Sequence, residues 1–130
     1  MKVISEMWNR NGNRGKYGAS NTPREIEGRI VVFDSKKEAK RYDQLAALQS
    51  SGKIRALDLQ PEYELQPGFV GCDGKKVRAI MYRGDFEYEE LQKDGTWELV
   101  TEDVKGMRPP EYRLKAKMFE YITGRKIRET

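Results

Sequence analysis

At 130 residues, with 37% hydrophobic and 35% charged residues, the chain suits one compact domain with a heavily charged surface. No apolar run approaches the roughly 18–20 residues that span a bilayer, and residues 1–10 lack the apolar stretch of a signal peptide, so a cytoplasmic protein is expected. There is no histidine and a single cysteine, Cys72; this excludes an internal disulfide, Ser-His and Cys-His nucleophile pairs and His-ligated zinc, and leaves hydrolysis to carboxylates, lysine, tyrosine and a hard cation held by oxygen.

The formal charge is +4, and the whole excess lies in residues 1–24, where Lys2, Arg10, Arg14, Lys16 and Arg24 face only Glu6. Set among Gly, Asn and Ser, these residues read as a basic arm. It is either a solvated tail or an arm that closes on nucleic acid through Arg10, Arg14 and Lys16, with Trp8 and Tyr17 available to stack. Residues 25–130 are the expected folded domain. Arg24–Glu27 and Arg29–Phe33 flank Gly28 as two short strands. Ser35 and Glu38 match the S-x-x-E capping box and open a helix from Lys36 to Ser50, closed by Ser51-Gly52. Leu57, Leu59, Tyr63 and Leu65 alternate across Pro61, as in an edge strand. A turn at 71–75 carries Cys72. Two longer strands are expected over 76–88 and 96–105, joined at Lys93-Asp94-Gly95. Pro110 suits the first turn of a second helix through about Ile122, with Leu114, Met118, Phe119 and Ile122 as its core face. A last short strand follows at 126–128. The order predicts an α/β (α+β) domain with a mixed sheet.

The chemistry concentrates in Gly84-Asp85-Phe86 and Glu102-Asp103-Val104-Lys105. Alternation along a strand puts Asp103 and Lys105 on one face and Val104 on the other. If Lys93-Asp94-Gly95 is a three-residue loop with glycine in the left-handed position, Gln92 pairs with Thr96, and the same register sets Asp85 directly opposite Asp103. A two-residue turn would put them on opposite faces. Facing carboxylates repel unless a positive charge lies between them. Lys105 offers one such charge, and a magnesium ion would offer more. The same residues also fit an exposed acidic sheet face. On the first helix Glu38 shares a stripe with Tyr42, Leu45 and Gln49, and can act either as part of the cap or as a third carboxylate aimed at the sheet.

Taken in order, Ser35-Lys36-Lys37-Glu38-Ala39, Leu59-Gln60-Pro61, Asp85-Phe86 and Glu102-Asp103-Val104-Lys105-Gly106 resemble a family of small phage- and prophage-encoded proteins of unknown function, placed in the PD-(D/E)XK nuclease superfamily. The resemblance runs from about Lys16 to Phe119. The same order is similar to phage junction-resolving endonucleases and to the end-cleaving nuclease of some bacterial transposons. It implies a restriction-endonuclease-like mixed central sheet flanked by helices. Glu38, Asp85, Asp103 and the Val104 carbonyl would bind magnesium or manganese, and Lys105 would be the catalytic lysine. Gln60 would be site-adjacent, or simply a polar residue at a strand end. Arg108, Arg113, Lys115 and Lys117 would grip phosphates, or else form a solvated basic face. The implied activity is metal-dependent hydrolysis of DNA phosphodiesters in phage recombination, repair or processing. Branched DNA such as a Holliday junction is the expected substrate and a homodimer the expected state. Two departures stand out: Asp103 occupies a place where Glu is commoner, and Gly84 one where proline often precedes the first Asp. The other readings are a non-catalytic DNA-binding protein that keeps the fold, and a phage accessory or protein-interaction domain with a fortuitous acidic face.

Overall fold

A computed structural model describes residues 2–3, 23–105 and 107–130. The expected DNA contacts Arg10, Arg14 and Lys16, like Trp8 and Tyr17, lie outside the described residues. The chain clusters into two compact units, one ending at Gly52 and the other starting at Lys53.

In the first unit β1 (Lys2–Val3), β2 (Pro23–Ile26) and β3 (Arg29–Val32) form an antiparallel sheet in the order β1-β3-β2. Glu27 and Gly28 both take positive φ, 51° and 77°, which gives the turn between β2 and β3 the twist a tight hairpin needs. Helix α1 (Lys36–Ser50) starts as the capping box predicts, with Ser35 in extended conformation and its hydroxyl accepting the Glu38 N–H at 3.1 Å. It ends where Ser51 and Gly52 turn their amides back onto Ala47 and Gln49 at 3.1 Å each. Val31, Val32, Phe33, Ala39 and Leu45 are buried. Arg24 is not part of a free basic arm: its guanidinium forks onto both Asp43 carboxylate oxygens at 2.7 Å.

The second unit contains β4 (Ile54–Leu59), β5 (Glu62–Gln66), β6 (Phe69–Val70), β7 (Lys76–Val77), β8 (Ile80–Arg83), β9 (Phe86–Leu91), β10 (Trp97–Asp103), α2 (Pro110–Thr123) and β11 (Arg128–Glu129). Its main sheet has the order β11-β10-β9-β4 and is mixed, since β11 runs parallel to β10 while the other pairs are antiparallel. With helices and mixed sheets in one chain, the fold is α+β. No helix among the described residues is long and apolar enough to cross a membrane.

Two expected strands are broken, one into two pieces and the other into three. The alternation across Pro61 is divided between β4, which pairs with β9, and β5, which pairs with β8; the expected strand over 76–88 is divided into β7, β8 and β9. The breaks face each other, so the cause is one corner rather than two defects. Pairing is in step on both sides of it: Leu59 faces Phe86 and Glu62 faces Arg83. At the corner Gln60 takes φ 51°, its N–H donates to the Asp85 carbonyl at 3.0 Å, and Gly84 donates to the Pro61 carbonyl at 3.0 Å. A proline at position 84 could not make that last bond, which explains its absence there. A Cβ at 84 would also lie 3.2 Å from the Thr101 methyl and 3.4 Å from Pro61 Cγ.

The corner turns β5 and β8 toward α2. Their inward side chains build a largely aromatic core of Leu65, Tyr82, Tyr112 and Phe119, with Tyr63, Ile80, Ala116 and Met118 packed around it. Helix α2 buries only half of the face expected of it, Met118 and Phe119. Phe119 is buried, but Leu114 is 60% exposed and Ile122 49%, while Tyr112 is inside. Positions 112, 116 and 119 form an equally good helical stripe, and the aromatic rings of β5 and β8 select it. Phe119 meets Tyr63 edge-on at 5.0 Å between centroids.

Candidate active site

The β9–β10 connection has the geometry on which the site depends. Gln92 donates its N–H to the Thr96 carbonyl at 2.8 Å, Gly95 donates to the Gln92 carbonyl at 3.0 Å, and Gly95 takes φ +86°. This is the three-residue loop, and from it the pairing runs in step from Trp97 opposite Leu91 to Glu102 opposite Phe86. One more step would face Asp103 with Asp85, but the ladder stops at the corner. Asp85 instead gives its N–H to the Glu102 carbonyl at 3.0 Å and takes the Gln60 N–H on its own carbonyl. Its carboxylate accepts the Val104 N–H at 2.7 Å. Gln60 is thus joined to Asp85 through its backbone.

Asp103, the last residue of β10, is only 3% exposed. Tyr82 donates its hydroxyl to Asp103 Oδ2 at 2.6 Å, and Lys105 Nζ lies 3.3 Å from Oδ1. The Lys105 ammonium also sits over the Tyr112 ring, 4.2 Å from its centroid. Lys105 lies two residues past the end of β10. Both carboxylates act on the same phenol. Burial, the hydrogen bond to Asp103 and the negative charges of Asp103 and Asp85 together raise the Tyr82 pKa well above its ordinary value. Asp85 and Asp103 therefore share one electrostatic neighbourhood, with a lysine in it.

The segment between them is clamped from both sides. The Val104 N–H is held by Asp85. Thr130 donates its N–H to the Asp103 carbonyl at 3.0 Å and accepts the Lys105 N–H at 3.1 Å, continuing the parallel pairing of β11 with β10. Glu102 is completely buried and belongs to a different cluster. It accepts the Tyr88 hydroxyl at 2.5 Å and the Thr130 hydroxyl at 2.9 Å, while Arg128 forks onto Glu90 at 2.8 and 3.1 Å. Burial, followed by the bond to Glu102, pushes the Tyr88 phenol up to about 12.

Asp85, Asp103, Val104 and Lys105 are thus brought together within the second unit. Glu38 lies on α1 in the first unit; it is 6% exposed, and its backbone is bound by the Ser35 cap. The expected phosphate contacts divide. Lys115 lines an open cleft of about 510 Å³ with Lys105, Tyr82, Tyr112 and Arg83. Arg113 and Lys117 line a second cleft of about 260 Å³ with Arg108 and Lys126. Arg108 is paired there with Glu129 at 2.7 Å. Tyr82, Tyr112 and Arg83 were not expected at the site. Tyr82 lies on β8, beyond the corner, and no spacing along the sequence relates it to Asp103.

Among the described residues, no three Asp, Glu or Cys side chains are arranged to hold a metal by themselves. Asp85, Asp103 and the Val104 carbonyl offer oxygen donors of the kind magnesium takes when water and phosphate complete its shell. Asp103 is buried and Asp85 partly buried, and two carboxylates with a backbone carbonyl are oxygen donors of the kind that suits magnesium or manganese.

No curated protein and no solved structure matches the chain. The family described as "Protein of unknown function (DUF1064)" matches residues 14–129, nearly the whole length. The chain belongs to that family.

Proposed function

We propose that the chain is a divalent-metal-dependent endonuclease that hydrolyses DNA phosphodiesters at Asp85, Asp103 and Lys105. The observation that carries this reading is a nearly buried Asp103 carboxylate with the Lys105 ammonium at 3.3 Å, beside an Asp85 carboxylate pinned to the next backbone amide. A surface ion pair would not need a buried partner, a phenol donor and a clamped backbone. Asp85 and Asp103, with the Val104 carbonyl, are the residues that would hold magnesium or manganese. Such an ion supplies activation of water and neutralisation of charge on the phosphate. Lys105, released from Asp103, orients the phosphate or the attacking water. Tyr82 holds the Asp103 carboxylate in one orientation, and Asp85 with Thr130 fixes the backbone that carries it.

The sequence resemblance also assigns Glu38 a ligand role, which Glu38→Gln tests by itself. Branched DNA, a two-site homodimer, the phage setting and the remaining phosphate contacts rest on that resemblance and set the first substrates to try. The test is to incubate the protein with single strands, duplex, flaps and a four-way junction in magnesium or manganese. Nicking that requires the metal and disappears in folded Asp103→Ala and Lys105→Ala supports the reading. DNA binding without cleavage on every substrate and metal would identify a binding protein instead. Neither binding nor metal-induced thermal stabilisation would identify an interaction domain.

A further inference from the structure

The cleft beside Lys105 was not marked by any sequence motif, and its wall chemistry differs from that of a small-molecule pocket. Three cations line it: Arg83 from β8, Lys105, and Lys115 from α2. Its acids are already engaged, Glu62 with Arg83 at 2.5 Å and Glu111 with Lys115 at 3.3 Å. Glu62, Arg83 and Glu111 have side chains more than half exposed. Exposed pairs of this kind are weak, and a phosphate can take the place of the carboxylate with little loss. Arg83 offers a planar fork suited to a phosphate and Lys115 a point charge. Met81, 40% exposed, and Pro109 supply apolar wall between them. The tyrosines in the lining, Tyr82 and Tyr112, are too buried to stack on a base. No Asn, Gln, Ser or Thr lines the cleft among the described residues; the side chains there that can reach base edges are the charged ones, and these are held in ion pairs at the wall.

We propose that this cleft seats the DNA backbone next to the cleaved bond, with Arg83 and Lys115 gripping neighbouring phosphates and no base being read. The inference rests on the phosphodiesterase reading, because it takes Lys105 as the point where the strand meets the chemistry. It makes Arg83 a substrate-positioning residue and separates Lys115 in role from Arg113 and Lys117, which face the other cleft. Recognition there is then indifferent to sequence and strongly dependent on salt.

Binding of fluorescent oligonucleotides, measured by anisotropy over a salt series in EDTA, tests it on the full-length protein. The double variant Arg83→Ala/Lys115→Ala is compared with Arg55→Ala, another exposed arginine in an ion pair, bound to Glu89 at 2.9 Å. Loss of two phosphate contacts lowers the slope of log affinity against log salt by about two and weakens binding roughly tenfold or more, alike for oligonucleotides of unrelated sequence. Arg55→Ala stays at the wild-type slope. Arg83→Lys, which keeps the charge, recovers part of the affinity, whereas a merely structural role would follow the melting temperature instead. In cleavage assays KM rises with kcat little changed. If wild-type protein binds and cuts DNA and the double variant binds equally well, the cleft assignment is wrong while the nuclease reading stands. If wild-type protein neither binds nor cuts DNA, both fall.

Discussion

Removing the Tyr82 hydroxyl isolates the contact that holds the Asp103 carboxylate. Tyr82 is 4% exposed and Asp103 3%, so water cannot take the place of the lost donor in the Tyr82→Phe variant. The bond is short, 2.6 Å, and its acceptor is charged, which places its loss at roughly 1.5–3 kcal/mol. Lys105 still faces the other oxygen, but at 3.3 Å it is longer than a strong charge-assisted bond and compensates only in part. A cost of about 2 kcal/mol is therefore expected, equivalent to roughly 7 °C in melting temperature for a chain of this size. Urea unfolding of wild type, Tyr82→Phe, Asp103→Ala and the double variant gives the coupling directly. The two losses should fail to add by about 1.5 kcal/mol or more, because Asp103→Ala removes the acceptor and also relieves repulsion from Asp85. Additive losses, or a Tyr82→Phe variant within about 0.5 kcal/mol of wild type, would refute the claim that this phenol holds the carboxylate.

Other outcomes follow from the same geometry. Burial pushes the Tyr63 and Tyr88 phenols up to about 12, each also bonded to a carboxylate, so the folded state keeps protons that the unfolded chain releases near pH 10. Their stabilisation is complete below pH 10 and is lost as pH rises toward 12; for Tyr88 it is on the order of 2–3 kcal/mol. In urea melts from pH 8 to 12, the gap between wild type and Tyr88→Phe should narrow over that window, and a constant gap would contradict the assignment. Thr130→Pro removes the N–H that bonds the Asp103 carbonyl and the hydroxyl that bonds Glu102; it should cost about 2–3 kcal/mol and depress metal-dependent nicking far more than that loss of stability explains. Equal nicking by folded Thr130→Pro would show that the clamp is idle. Gly84→Val forces its side chain toward Thr101 and Pro61 and should destabilise by roughly 2 kcal/mol in the same melts, whereas unchanged stability would mean that the corner is loosely packed.

Local rules carried the sequence reading a long way. The Ser35 cap, the Lys93-Asp94-Gly95 loop and the register it imposes follow from short-range hydrogen bonding and turn geometry, and they carry the pairing to Glu102 opposite Phe86, one step short of Asp85 and Asp103. What was not legible arises where distant segments meet. The corner at Gln60-Pro61 and Gly84-Asp85 breaks two apparently continuous strands, because each break is stabilised only by the other. That corner places Tyr82 beside Asp103, and no periodicity along one strand can report it. On helix α2 Phe119 is buried as its spacing predicts, but the choice of Tyr112 and Ala116 over Leu114 and Ile122 beside it was made by aromatic partners on β5 and β8. The basic residues of α2, alike in sequence, point into two clefts for the same reason. Arg24, counted with the basic arm, is held by Asp43, a residue 19 positions away on a helix.

The most direct test of the shared-cation claim is manganese binding followed by electron paramagnetic resonance on wild-type protein, Asp85→Asn and Asp103→Asn, each first shown to be folded. One ion bound by wild type and released in both variants is the expected result. Wild-type protein that takes up no manganese, or variants that bind it as well as wild type, would contradict a site built on these two carboxylates.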